Sequence, residues 1–574
     1  MTVNTKITCD MNAETSGPVP FIPASSKFTC LAVALVVLAA VAERAWLLFS
    51  TPLVPGINGA YYLIQTRALI EQGKLGIPDL PLTFWIDASL AKIIQFFAGA
   101  PLESSILLSV KLEDAILPAL IALPMFALVR RWSSRVGAGL WLPTCAALAA
   151  ACGAPALMVV GELGKNSLGL VWLAALLWRL HVWLEEPRMI NAALVVAFLA
   201  LLGLTHIGVF GWALALAGLT MMVALWRCEP LMRRKLLLWL LIGGTASSLA
   251  AGLVLWKFDP ARVHRLTNAI THPLTFLGND QGKRGQPKQR PAGQNDFHPQ
   301  PSNDNVSRDF RPPGQGNPMD QFEGLRWAFS AAFLTVAIGA LAMVWYRRHK
   351  LSAADIAVVT GCALGLIVLG GPWVTGDKGI RFVLIACVPA TAITAFALAQ
   401  LPLPKLRNTM MALIVFGIVG AGIRHLKQGG QPVITLAAAD ELRSLTNDIS
   451  APKKTLIVAR HGLEWWTAWF LHTHIAHADA LKDSDWQNYQ QIFFLRQKAG
   501  MLMPLGPRPG NGQLPPDRGG RGFAGGPPHR GNVPPPGGPP GGGPMGEPAI
   551  PDNAEFTHDG ECFTLARVNS PIGR

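Results

Sequence analysis

Apolar runs near twenty residues long recur about eleven times along this chain, and the polar links between them alternate in charge. A lipid interior offers backbone amides no solvent, so each such run has to close its hydrogen bonds within a helix. One set of links is basic: Arg130, Arg131 and Arg135; Arg227, Arg233, Arg234 and Lys235; Arg347, Arg348 and Lys350; Lys405 and Arg407. The other set, which includes the long first loop and the turns 161–166 and 371–379, is poor in cations. Lys and Arg accumulate in cytoplasmic loops, so the alternation predicts an orientation as well as a span count. It puts the amino terminus inside and, with an odd number of spans, the carboxyl-terminal region outside.

Helices are expected near 29–49, 105–130, 137–158, 167–184, 190–205, 207–226, 236–256, 325–346, 353–371, 380–400 and 406–424, behind a cytoplasmic tail over 1–28. The first run, Phe28–Leu48, follows a polar stretch and lacks a small-residue cleavage site, so it reads as a retained helix. The first external loop covers 51–104. Within it, Gly59–Gln72 and Leu82–Phe97 carry apolar residues at helical spacing, which predicts two amphipathic helices lying at the interface. Segments 278–318 and 504–548 are dense in Gly, Pro and polar residues, cannot offset ordering by burial, and are expected to stay disordered.

Residues 425–574 form the extracytoplasmic part, with ordered portions at 431–502 and 549–569. Thr455–Ala459 (TLIVA) reads as a buried strand, Leu463–Ala476 as a helix and Gln491–Arg496 as a second strand. Glu555–Val568 alternates around Asp559-Gly560, a hairpin signal. The fold class is therefore an α-helical polytopic protein of the cell membrane with a small α/β domain outside.

Composition agrees: 51% of residues are hydrophobic and 15% charged. The net charge of +14 sits mostly in loops and tails, where it orients the protein and meets anionic lipid. No basic stripe is interleaved with aromatics, which excludes nucleic acid as a partner. The 8 cysteines show no zinc or redox spacing. His461, Glu464, His472, His474 and His477 offer metal-ligand chemistry, but a helix over 463–476 spreads them over different faces.

The order of parts resembles the GT-C class of membrane glycosyltransferases, which includes protein O-mannosyltransferases, the aminoarabinose transferase of lipid A and oligosaccharyltransferase catalytic subunits. The resemblance is carried by PGINGAYYLIQTRALIEQGKLGIPDLPL at 55–82, GELGKNSLGL at 161–170, LTHIGVFG at 204–211 and DKGIRFVLIACVPATAI at 377–393. It implies transfer of a sugar from a polyprenyl-phosphate donor to an envelope glycan, lipid or protein at the outer membrane face. The acceptor then needs a carboxylate to take its proton, or a carboxylate-bound divalent metal ion to orient it. No cofactor is certain beyond that open metal question.

The class places an acid just after the first helix, and the matching position here is Asn58, beside Tyr61. An amide is no base at neutral pH. The second-loop acid matches Glu162, which could pair with Lys165 one helical turn on, itself a further candidate for the donor phosphate. Asp79, between prolines, is either a turn former or a catalytic carboxylate. Asp87 is a site candidate if its apolar helix packs on the bundle, and means nothing if that helix faces water. Asp377, Lys378 and Arg381 open a helix, where cations beside free N–H groups suit a donor phosphate. Their alternative role is snorkelling at the membrane boundary. His206 lies at a helix end and is either a cavity residue or simply hydrogen-bonded. A non-catalytic lipid-linked glycan binder is the alternative function; a transporter finds no internal repeat to support it.

Overall fold

The structure, a computed structural model, describes residues 26–227, 318–374, 376–477, 485–498 and 553–568, with isolated positions among 233–257 and at 481, 548, 550 and 551. The expected span at 236–256 falls almost wholly outside the described residues, as do 278–317 and 504–547. Eight described helices are long and apolar enough to cross a membrane, and Met189–Thr205 and Ala353–Leu369 are shorter apolar helices beside them. The chain is a multi-pass membrane protein.

Helix α1 (Ser26–Phe49) is followed by α2 (Gly59–Gln72) and α3 (Leu82–Ala98), each closed by a left-handed glycine, Gly73 and Gly99. Helix α4 (Leu102–Ile116) runs through one 3-10 turn into α5 (Ala122–Arg135), so Leu102–Arg135 is one continuous apolar rod. Then come α6 (Trp141–Cys152), α7 (Ala154–Met158), α8 (Gly164–Glu185), α9 (Met189–Thr205) and α10 (Ile207–Arg227). An extended His206 breaks the chain between α9 and α10. The bundle closes with α11 (Pro318–Arg347), α12 (Ala353–Leu369), α13 (Gly376–Ala399) and α14 (Pro404–Gln428). Ser352 and Asp355 form a capping box at the start of α12, and Pro404 occupies the first turn of α14, where its missing N–H costs nothing.

The domain after the bundle contains α15 (Leu436–Ser444), β1 (Thr455–Ala459), α16 (Leu463–Leu471), β2 (His474–His477), β3 (Gln491–Gln497), β4 (Ala554–Asp559) and β5 (Phe563–Val568). Its five-stranded sheet has the order β2-β1-β3-β5-β4. The first three are parallel, and β5 runs antiparallel between β3 and β4. Every residue of β1 is buried, as a central strand covered on both faces requires.

Two expectations change here. Helix α16 ends at Leu471, because His472 turns left-handed (φ 54°) and His474–His477 becomes an edge strand. Helix α2 does not lie on a surface: Ala60, Tyr62, Leu63, Gln65, Thr66, Arg67 and Ala68 are all buried. Only α3 presents an apolar outer face, with Phe96 and Phe97 about four-fifths exposed (82% and 80%). The reason is a core that runs from Leu53, Leu63 and Phe84 of the first loop into Leu442, Ile457, Trp466 and Phe563 of the domain. Arg67 fixes that junction. Its guanidinium donates to the carbonyls of Trp469 (2.8 Å) and Ala468 (2.6 Å), closing the carboxyl end of α16, and lies 4.8 Å from the Trp469 ring.

Replacing Arg67 with Met is expected to remove about 2–3 kcal/mol from the docking of domain to bundle. In detergent-solubilised protein this should read as faster limited proteolysis of the domain with the bundle still helical by circular dichroism. Unchanged cleavage would show that the apolar core alone holds the domain.

Candidate functional site

The site lies where the domain meets the bundle. Asn58 precedes α2 without capping it through its own side chain. Glu162, from the turn before α8, accepts hydrogen bonds from the backbone just ahead of α2. One carboxylate oxygen accepts from Ile57 N and from Asn58 N (3.3 Å), and the other accepts from Asn58 Nδ2 at 2.6 Å. The carboxylate also faces the positive end of the α2 dipole. Burial pushes the Glu162 carboxyl above its ordinary value, while these N–H groups pull against that rise. Gly56 (φ 85°) and Gly161 (φ 73°) allow the approach: a Cβ at 56 would lie 2.6 Å from Glu162 Oε2, and one at 161 would lie 2.7 Å from the Pro55 carbonyl oxygen.

Lys165 does not pair with Glu162. It turns instead to Asp79, whose Oδ2 accepts from Lys165 Nζ and Tyr61 OH, while Oδ1 accepts from Leu80 N at 2.8 Å. Lys165 also lies 5.3 Å from the Tyr61 ring and 5.5 Å from that of Phe84. Burial first, and Asp79 second, push the Tyr61 phenol well above its usual range. Asp79 is thus a buried counter-ion.

Asp87 faces the bundle and is fully buried, with neither carboxylate oxygen hydrogen-bonded among the described residues. Burial, and secondarily the nearby Asp114, push its carboxyl well above its ordinary value. Asp114 itself is compensated by Arg44 Nη2 at 2.5 Å and by Gly161 N at 2.6 Å. Arg44 and Asp114 escaped the sequence reading, although charges inside apolar runs are the signal that marks such pairs.

From the domain, the loop before α16 reaches the same place. A Cβ at Gly462 (φ 91°) would lie 2.7 Å from Ile57 Cγ2, on the residue whose N–H holds Glu162. The half-exposed His461 binds Glu464 through Nδ1, 2.9 Å from a carboxylate oxygen, and Glu464 is buried. Trp465 stacks edge-on against Tyr61, with ring centroids 5.2 Å apart. The hydrogen bond to Glu464 is the main cause that raises the His461 pKa; the charge of Glu162 adds to it and that of Arg381 opposes it. Arg381 is exposed near the start of α13; the side chains of Asp377 and Lys378 lie outside the described residues. His206 accepts from Val209 N through Nδ1 at 3.3 Å, at the α9–α10 break.

One set of described side chains has ligand atoms close enough to share an ion, His181, Glu185 and Asp355. It lies at the far end of α8, about 30 Å from Lys165 at 1.5 Å per residue. Its carboxylates already accept from Arg131 and Arg135: Arg131 Nη2 is 2.8 Å from Glu185, and Arg135 Nη1 is 2.5 Å from Asp355. Near Glu162, the carboxylates of Glu162, Asp79 and Asp114 are each compensated by protein N–H or ammonium donors. A divalent ion needs carboxylate charge left over, so one held by His181, Glu185 and Asp355 would share their carboxylates with the two arginines. His472 and His474 do not converge: His472 pairs with Glu103 at 3.1 Å and His474 packs on Tyr489.

No protein-family model matches the chain, and no curated protein matches it in sequence. Solved structures do match it in fold, and two of them follow. The chain is similar to the oligosaccharyltransferase of Archaeoglobus fulgidus, solved with zinc and sulfate, at 14% identity and a TM-score of 0.49, over 80% of this chain and 67% of that one. It is also similar to ArnT from Cupriavidus metallidurans, solved with undecaprenyl phosphate, at 13% identity and a TM-score of 0.45, over 82% of this chain and 93% of that one.

Two outcomes are expected. Asp79→Asn strands the buried Lys165 ammonium and should cost about 3–5 kcal/mol, largely recovered in the double variant with Lys165→Met; thermal unfolding in detergent reads this directly. Asp87→Asn should be neutral at low pH and stabilising near pH 8. A buried carboxyl with a raised pKa favours folding while protonated, and that contribution is lost as pH rises from the free carboxyl value through the folded one. Wild type should therefore lose melting temperature over this window, and Asp87→Asn should not.

Proposed function

We propose that the protein is an integral membrane glycosyltransferase that moves a sugar from a polyprenyl-phosphate donor to a cell-envelope acceptor outside the cytoplasm. The observation that carries this reading is that Glu162 and Arg381, from remote parts of the chain, both lie near enough to His461 for their charges to act on it, where the loop before α16 touches Ile57, the residue whose N–H holds Glu162. A donor of this kind is half lipid and half anion, so it needs bilayer access and a cation at the same point. Arg381 supplies the cation, with Lys378 beside it in sequence. Glu162 and the Asp79–Lys165 pair act as positioning groups that fix the first loop under the domain.

Orientation follows from charge. Arg131 and Arg135 lie beside Glu185 and Ser352, at the end of the bundle opposite Glu162. Basic links mark the cytoplasmic side, which supports a site that opens outward and an amino terminus that stays inside. A second reading has an observation of its own: Asn58 stands where the class carries an acid, and it spends its amide on Glu162. On that reading the protein binds a lipid-linked glycan without transferring it.

The test offers purified protein radiolabelled polyprenyl-phosphate sugars together with envelope extract. Wild type should transfer label. Arg381→Ala should lower transfer roughly 100-fold by removing compensation of the phosphate, with donor binding weakened in parallel. Donor binding without transfer by wild type would select the binder, and neither binding nor transfer would end both readings.

A further inference from the structure

The proposed transfer needs a group that takes the acceptor's proton, and the carboxylates at the junction are poorly placed to do so. Glu162 is held by the backbone of Ile57 and Asn58 and by the Asn58 amide, and Asp79 by Lys165, Tyr61 and Leu80. Asp87 is sealed in the protein between α3 and the bundle. The domain brings a different group to the same place. His461 stands on the loop whose Gly462 touches Ile57, and the buried Glu464 carboxylate holds its Nδ1 at 2.9 Å. That hydrogen bond fixes the tautomer with the proton on Nδ1 and leaves Nε2 as the basic nitrogen. Glu464 keeps its second oxygen buried without a hydrogen-bond partner among the described residues, so its charge is directed at the imidazole.

We propose that His461 is the catalytic base of the transfer, with Glu464 as its positioning residue. This rests on the reaction proposed above. The acceptor's O–H or N–H bond breaks and its proton passes to Nε2. Its electron pair forms the new bond to the anomeric carbon of the sugar. The bond from that carbon to the phosphate oxygen breaks, and its electron pair leaves on the polyprenyl phosphate beside Arg381. The sum adds no co-reactant: one proton moves to His461 and returns to solvent before the next turnover.

Charged groups that face His461 are Glu464 from α16, Glu162 from the turn before α8 and Arg381 from α13; the neighbouring Arg460 binds Gln497 at 2.6 Å. Glu464 and Glu162 raise the basicity of the ring and Arg381 lowers it. The rate should therefore rise with pH through a limb above the ordinary imidazole value of 6.5. Glu464→Gln should shift that limb to lower pH and reduce kcat.

The experiment measures transfer and donor binding on full-length protein in nanodiscs, from pH 5 to 9, for wild type, His461→Ala, His461→Gln and Glu464→Gln. In the proposed mechanism both His461 variants lose kcat roughly 100-fold with the donor Kd unchanged. Free imidazole restores part of the turnover of His461→Ala. Unchanged kcat in the His461 variants, or a limb that stays in place in Glu464→Gln, overturns the assignment while wild-type transfer upholds the enzyme. Wild type that binds donor and transfers nothing overturns the reaction itself, and the base falls with it.

Discussion

Lys165 reaches from the first turn of α8 to Asp79 in the first loop, and most of the architecture near the site follows from the cost of that burial. Removing a carboxylate or an ammonium from water costs several kcal/mol per ion, roughly, even after relaxation. The chain answers each such cost across segments rather than within one. Lys165 is answered by Asp79 and Arg44 by Asp114. Arg67 is answered by carbonyls of α16, and Glu162 by amides at the start of α2. Each answer joins elements far apart in sequence, so compensation of buried charge and assembly of the fold are one process.

In the proposed mechanism this arrangement divides labour. The bundle would supply span, apolar access and the cation near the start of α13. The first loop supplies a floor, because its carboxylates are spent on holding it. The domain brings the half-exposed His461 over that floor on a loop anchored by a buried glutamate. Membrane enzymes often face the difficulty that a charge good for catalysis is costly near lipid. Here most of the buried charges are met by partners from elsewhere in the chain, and His461 stays half-exposed.

Much of the fold was legible in the sequence. The apolar runs and helix α2 were readable because burial in lipid or in a core leaves a simple pattern of length and period. Strands β1 and β3 announced themselves by unbroken β-branched and aromatic runs. Helix α16 was read too long, since the left-handed turn at His472 falls on a residue with no ordinary signature for it. The site was less legible. Asn58 and Glu162 could be named from their motifs, but not the hydrogen bond between them, because a contact across 104 residues leaves no local period. Lys165 was paired with its neighbour in sequence; a lysine has the reach to find a better acid, and the fold provided one. His461 was weighed as a metal ligand because its partner Glu464 lies one turn away, and the same spacing serves a hydrogen bond.

The glycines at 56, 161 and 462 leave the seam between floor, bundle and domain without side-chain thickness at its closest points. Backbone there lies directly against a neighbouring residue, so the separation of the parts is set by the peptide itself. Evolution can retune this junction by changing residues around the seam, but hardly by changing the seam. Any β-carbon added there acts as a wedge, lifting the domain and the imidazole it carries away from the bundle. The spacing of the parts is inherited almost entirely as an absence of atoms.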